Sequence, residues 1–320
     1  MSEYALVGDI GGTNARLALV KPGSVELEHI RTLACADYDN LDTACNAYLA
    51  EVGLEGVRRA CLAFACPVQD EQIRMTNNHW AFSRSAMQHT LGLDQFRLLN
   101  DFTAMALGML HVQPHELVAI GGGESLAGST RLVIGPGTGL GVSALVPAGD
   151  EWVPLSTEGG HVSFAPTDEL EVAIWRSLGD QFGRVSVERI LCGQGMVNLY
   201  RAIAQYRSLP APLTCPADVT AAGLAGDELA TETLARFCRI LGEQAGDAVL
   251  TVGGRGGVYL CGGILPRMQD FLLSSAFRAG FEAKGRFQDY MTKVPVWLCT
   301  AEYPGLLGAA AGLDNSLVKG

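Results

Sequence analysis

No apolar stretch in this chain approaches the roughly twenty residues that a membrane-spanning helix needs, so no membrane segment is expected. Positive charge is also in short supply. The formal net charge is −11, which argues against nucleic acid or an anionic membrane as a partner. The same charge does not exclude a nucleotide, because backbone amides and a magnesium ion neutralise phosphates locally. No Cys-x-x-Cys pair occurs among the nine cysteines, and their odd, scattered placement forms no evident disulfide or zinc framework. Cys61, Cys66, Cys261 and Cys299 lie in apolar runs and read as small core residues. The first strand is under way by Tyr4, so no leader peptide is expected, and a cytoplasmic protein with reduced thiols is the simplest reading. A Walker A phosphate loop is missing as well, since no Gly-Lys pair precedes the chain's end.

What is present is a 320-residue chain with 48% hydrophobic and 18% charged residues, a globular composition too long for one typical core. Two domains follow, with a boundary placed near Leu110. Strands and helical segments alternate in both halves, which gives an α/β class. YALVGDI (Tyr4–Ile10) and ARLALV (Ala15–Val20) read as a hairpin around a wide glycine turn, with a third strand near Glu26–Thr32. Leu41–Val52 has helical spacing. RACLAFACPV (Arg59–Val68) reads as a buried central strand. FRLLND (Phe96–Asp101) is a strand ending in two polar residues, with a helix over Phe102–Met109. RLVIG (Arg131–Gly135) and VSALVP (Val142–Pro147) then repeat the strand, glycine turn, strand theme. Further on, Pro210–Asp218 reads as a proline-rich loop and Asp227–Leu250 as a long helix. Gly256–Ile264 and Pro295–Thr300 read as strands, and Pro304–Leu313 as a packed helix.

The glycine turns are the first candidates for chemistry. In GDIGGTNAR, the residues Gly8, Asp9, Ile10, Gly11, Gly12 and Thr13 follow a strand, where glycines let backbone N–H groups reach phosphate oxygens. Thr13 adds a hydroxyl, and Asp9 a carboxylate able to hold magnesium through water. An ordinary glycine hairpin explains the same residues equally well. GPGTGLG offers a second set of donors at Gly137, Thr138 and Gly139, and its loose match to a dinucleotide fingerprint fails because a strand follows instead of a helix. Gly262 and Gly263 in LCGGILPR form a third turn, able to pass flat against an adenine.

GDIGGTNARLAL, MTNNHWAF, LLNDFTAMA, GPGTGLG, EGGHVSFAP, VERILCGQGMVNLYRAI, GGILPR and YPGLLGAAA occur in one order along nearly the whole chain. In this the sequence resembles the bacterial glucokinases of the hexokinase–actin–Hsp70 ATPase fold. The resemblance implies a small α/β domain (residues 1–110 plus 301–320) and a larger one (111–300), with a cleft between them that closes on glucose. It implies ATP and Mg2+ as cofactors and, commonly, a homodimer.

Asn100 and Asp101 lie at a strand end, where ligand-facing residues collect in α/β sheets. A carboxylate there can orient a sugar hydroxyl and take its proton as a phosphoryl group arrives. Asp101 also suits a helix N-cap, a common duty for aspartate; the resemblance is what makes it the catalytic base. Glu158 and His161 in EGGH supply an acceptor and an imidazole for adjacent hydroxyls. A zinc role for His161 is disfavoured because no cysteine follows until Cys192. Glu188 is a surface helix glutamate on sequence alone, and the resemblance makes it a further sugar ligand. Asn77 in MTNNHW is a turn residue or a more distant sugar contact. The resulting expectation is transfer of the γ-phosphoryl group of ATP to the glucose 6-hydroxyl. Its rivals are a kinase for another hexose, a sugar-sensing regulator without catalysis, and a chaperone or filament ATPase of the same superfamily. The EGGH cluster and the short length speak against the last.

Overall fold

The computed structural model describes residues 3–318; the ends of the expected small domain, residues 1–2 and 319–320, lie outside them. The strands in chain order are β1 (Ala5–Ile10), β2 (Asn14–Val20), β3 (Glu28–Ala34), β4 (Arg59–Phe64), β5 (Gln72–Arg74), β6 (Ala81–Ser83), β7 (Gln95–Asn100), β8 (Leu117–Ala119), β9 (Arg131–Pro136), β10 (Leu140–Ala148), β11 (Glu151–Ser156), β12 (Val258–Leu260) and β13 (Val296–Cys299). The helices are α1 (Leu41–Glu51), α2 (Arg84–Thr90), α3 (Asp101–Gly108), α4 (Glu169–Phe182), α5 (Gly193–Arg207), α6 (Pro216–Leu224), α7 (Glu228–Val252), α8 (Gln269–Ser274), α9 (Phe277–Glu282), α10 (Gln288–Met291) and α11 (Pro304–Asp314). They divide between two compact units. One comprises Met1–Glu116, Ala144–Ser156 and Ala301–Gly320, the other Leu117–Ser143 and Thr157–Thr300.

The first unit is built on a sheet of order β3-β2-β1-β4-β7, antiparallel across β1–β2 and β2–β3, and parallel across β1–β4 and β4–β7. Both faces are covered, which is why β1 and β4 read as nearly unbroken apolar runs. On one face Leu6, Leu17, Leu62 and Phe64 meet Leu41, Cys45 and Tyr48 of α1, together with Trp80 and Phe82. On the other, α3 and α11 pack against each other and against β4 and β7. Small residues make that crossing possible. A β-carbon on Gly308 would run into the Ala104 carbonyl, and one on Gly312 would stand 2.8 Å from Leu99 Cδ1.

In the second unit β9, β12, β13 and β8 lie side by side in that order, parallel across β9–β12 and β12–β13, and β10 starts in this unit at Leu140. The 25-residue α7 is its central helix, burying Leu234, Phe237, Ile240, Leu241, Ala245 and Val249. Asp227 caps it, accepting from the Ala230 N–H at 2.9 Å. The sequence differs from the structure here in two instructive places. The strand expected over Gly256–Ile264 shrinks to Val258–Leu260, because Gly257 (φ 111°) and Gly262 (φ 89°) take left-handed backbone on either side. The loop expected over Pro210–Asp218 gives way at Pro216 to α6, where proline sits at the helix start with nothing to lose from its missing N–H.

Candidate active site

The first glycine turn is closed by Gly11 N–H donating to the Asn14 carbonyl at 2.9 Å, and it is held from below. The Asn78 side-chain amide donates to the Gly11 carbonyl at 3.2 Å, and the Cys35 N–H donates to the Thr13 carbonyl at 2.8 Å. Gly11 and Gly12 do not use left-handed backbone. Gly12 is needed for space: a β-carbon there would lie 2.6 Å from that of Asn77. Asn77, set aside by the sequence reading, is thus the floor of the turn. Thr13 is exposed at its tip. The β1–β2 register puts Asp9 opposite Arg16, whose Nη1 donates to Asp9 Oδ2 at 3.2 Å. Burial pushes the Asp9 carboxyl up and the Arg16 charge offsets it. Gly305, at the start of α11, stands against the same carboxylate, where a β-carbon would lie only 3.1 Å from Asp9 Cγ, a neighbour 296 positions away that no local pattern could reveal.

Asn100, not Asp101, is the N-cap of α3. Its Oδ1 accepts from the Phe102 N–H at 3.0 Å and the Thr103 N–H at 3.3 Å, while Asp101 takes the first helical position. The cap uses the amide oxygen of Asn100 and leaves its Nδ2 without a partner among the described residues. Asp101 is half-buried, and it is near enough to Cys66 for its charge, after burial, to help push that thiol up to about 11. The strand register carries this pair to the glycine turn. Ile10 pairs with Phe64, and Phe64 with Asn100, so the carboxyl ends of β1, β4 and β7 finish level. With strands about 4.8 Å apart, Asn100 stands about 10 Å from the end of β1 on one sheet edge.

The second unit gathers the remaining candidates. The β9–β10 turn is closed by Gly137 N–H donating to the Gly139 carbonyl at 2.8 Å, with Thr138 exposed between them. Gly262 lies directly on it, its left-handed backbone pressed against Pro136, and Gly263 is open to solvent beside it. Glu158, Gly159, Gly160 and His161 follow β11 as a short 3-10 turn, with His161 N–H donating to the Glu158 carbonyl at 3.0 Å. The two glycines are there for close approach, not flexibility. A β-carbon on Gly159 would stand 2.9 Å from Val142 Cβ, and one on Gly160 would enter the Leu140 carbonyl. Thr157 Oγ1 pins the segment to the Val142 carbonyl at 2.6 Å. EGGH is thereby laid along the start of β10, and Glu158 and His161 remain exposed. Glu188 sits in the 3-10 turn Val187–Arg189, with Oε2 2.8 Å from the Leu140 N–H and Oε1 3.9 Å from His161 Nδ1. Gly193, which the sequence reading missed, donates from the start of α5 to the Gly137 carbonyl at 2.9 Å.

Every candidate for sugar or phosphate therefore has its place in one of two clusters: Gly8–Thr13 with Asn100 and Asp101, and Gly137–Gly139 with Gly262, Gly263, Glu158, His161 and Glu188. No group of three or more His, Cys, Asp or Glu able to hold a metal occurs among the described residues. A magnesium ion keeps most of its shell from water and phosphate oxygens and needs only one or two carboxylates. Asp9, a half-buried carboxylate offset by a single arginine, fits that lesser role.

Comparison with known proteins bears on the whole chain. The Glucokinase family model matches residues 6–316. The glucokinase of Hahella chejuensis is 56% identical over 318 residues, covering 99% of each chain. A crystal structure of glucokinase from an Antarctic psychrotroph superimposes with a TM-score of 0.90 at 37% identity, over 99% of this chain and 100% of that one. A ROK family glucokinase from Streptomyces griseus, solved in complex with glucose and AMPPNP, shares the fold at 17% identity, with a TM-score of 0.64 and coverage of 96% and 98%. The class is that of the sugar kinases on the hexokinase–actin-like α/β fold. Within it, the chain belongs to the glucokinase family, the one its ordered motifs resemble.

Proposed function

We propose that this chain transfers the γ-phosphoryl group of ATP to the 6-hydroxyl of glucose, giving glucose 6-phosphate and ADP. The observation that carries the reading is the level finish of β1, β4 and β7, which sets a glycine turn and the Asn100–Asp101 pair on one sheet edge. Asp101 accepts the proton of the 6-hydroxyl as that oxygen attacks phosphorus. Asn100 offers its Nδ2 to the sugar while its oxygen holds α3 in place. Glu158, His161 and Glu188 take the other hydroxyls. The backbone donors of Gly8–Thr13 and Gly137–Gly139 hold the phosphates, and Gly262 and Gly263 flank the base. A magnesium ion, held through water by Asp9, would supply charge neutralisation on the transferring phosphate.

The two compact units serve as the small and large domains of the kinase. Acidic composition and the absence of a long apolar helix among the described residues fit work in the cytoplasm on small molecules. A homodimer, with twice the 33.9 kDa chain mass in light scattering, is the assembly expected.

The deciding experiment is ADP release measured over a hexose panel. Glucose should give the highest kcat/KM, and Asp101→Ala should lower kcat by about a hundredfold or more. A better rate with mannose or fructose would reassign the substrate. Glucose binding without ADP release would make the chain a sensor.

A further inference from the structure

Glu188 is held unlike a side chain reserved for a sugar. It projects from a turn fixed just before it, since the Val187 N–H donates to the Val162 carbonyl at 3.0 Å and Ser186 bridges Ser163. Its Oε2 accepts the Leu140 N–H at 2.8 Å, the first backbone donor after the phosphate turn. The same oxygen would stand 2.5 Å from a β-carbon on Gly139, so the turn closes tightly over the carboxylate. Its Oε1 is directed toward His161, 3.9 Å away. The carboxylate thus divides its two oxygens between the phosphate turn and the sugar residues.

We propose that Glu188 is a positioning residue for the nucleotide: its bond to Leu140 sets the shape of the Gly137–Gly139 turn, and a sugar hydroxyl on its other oxygen acts on that turn directly. Glucose and nucleotide binding are then coupled through one side chain. This rests on the reading of Gly137–Gly139 as a phosphate turn. Any ligand that orders Glu188 from one side lowers the ordering cost for the other, which is positive cooperativity with a named carrier.

The test is calorimetric binding of AMPPNP to the sugar-free enzyme. Glu188→Ala should weaken it about fivefold or more, the low end of measured coupling between sites. Glu188→Gln retains an acceptor for the Leu140 N–H and should bind AMPPNP as the wild type does, while raising KM for glucose. Gly139→Ala drives a methyl into Glu188 Oε2 and, by pushing that carboxylate off the Leu140 N–H, should weaken AMPPNP binding as well. Unchanged AMPPNP affinity in both Glu188→Ala and Gly139→Ala would overturn the proposal, as would equal loss in Glu188→Ala and Glu188→Gln. If Glu188→Ala does not fold, the comparison of Gly139→Ala with Glu188→Gln decides it. Failure of the wild type itself to bind AMPPNP would instead refute the kinase reading.

Discussion

Gly308→Ala probes how closely the chemistry depends on a helix crossing. A β-carbon at this position would stand 3.0 Å from Ala104 Cα and inside the Ala104 carbonyl oxygen. Atoms in contact sit about 3–4 Å apart and the Ala104 carbonyl oxygen is the nearest of these, so α3 and α11 must part by more than an ångström. Overpacking of this kind costs about 1–3 kcal/mol. Replacing a helical glycine by alanine returns up to about 1 kcal/mol. The net expectation is a loss of roughly 1–2 kcal/mol, read in calorimetry as a Tm lower by a few degrees. Activity should suffer more. Ala104 is one turn along α3 from Asp101, and a displacement of about 1 Å at a reacting group can cost about a hundredfold in rate. Gly179→Ala supplies the control, because its β-carbon meets nothing within 4 Å in the interior of α4, and it should stabilise by about 0.5–1 kcal/mol with kcat unchanged. A Gly308→Ala enzyme equal to wild type in both Tm and kcat would refute the argument that this crossing holds the proposed base, Asp101.

Glu243 lies buried with Oε2 unpartnered; burial first, then the Glu171 charge, hold its carboxyl above the ordinary value, against the pull of Arg239. A raised folded-state pKa gives stability that is full below the ordinary carboxylate range and lost as pH rises through the folded value. Glu243→Gln should therefore flatten the pH dependence of Tm and gain most relative to wild type at pH 8; a constant difference from pH 4 to 8 would contradict this. Asn100→Asp keeps a capping oxygen but removes the side-chain N–H donors, so Tm should hold while KM for glucose rises roughly tenfold; an unchanged KM would remove Asn100 from the sugar site. Cys215 is the one exposed thiol among the described cysteines, so a thiol reagent should modify one group quickly in the native protein and nine after denaturation.

The order of motifs and the strand, turn, strand theme were legible in the sequence because each rests on neighbours a few residues apart. The hairpin around Gly11, the central strand (expected to run to Val68, it ends at Phe64) and the long helix α7 all follow from local periodicity and glycine placement. Asn100 and Asp101 were found as a pair at a strand end, but their division of labour was not, since which of two adjacent polar residues caps a helix depends on backbone geometry. Gly160 in EGGH is a close contact with β10, a role defined only by what lies across from it. The Glu188–Leu140 bond spans 48 positions and the Asp9–Gly305 contact far more, so neither leaves a periodic trace.

The first unit is threaded in three passes, and its last pass supplies α11. During synthesis the glycine turn of β1 leaves the ribosome first, yet the helix that backs β1, β4 and α3 arrives some three hundred residues later. A nascent chain thus holds the β1 turn long before α3 has the helix it packs against. The α3–α11 crossing can close only once residues 304–314 have been made, so the proposed base at Asp101 is among the last groups to gain its packing support.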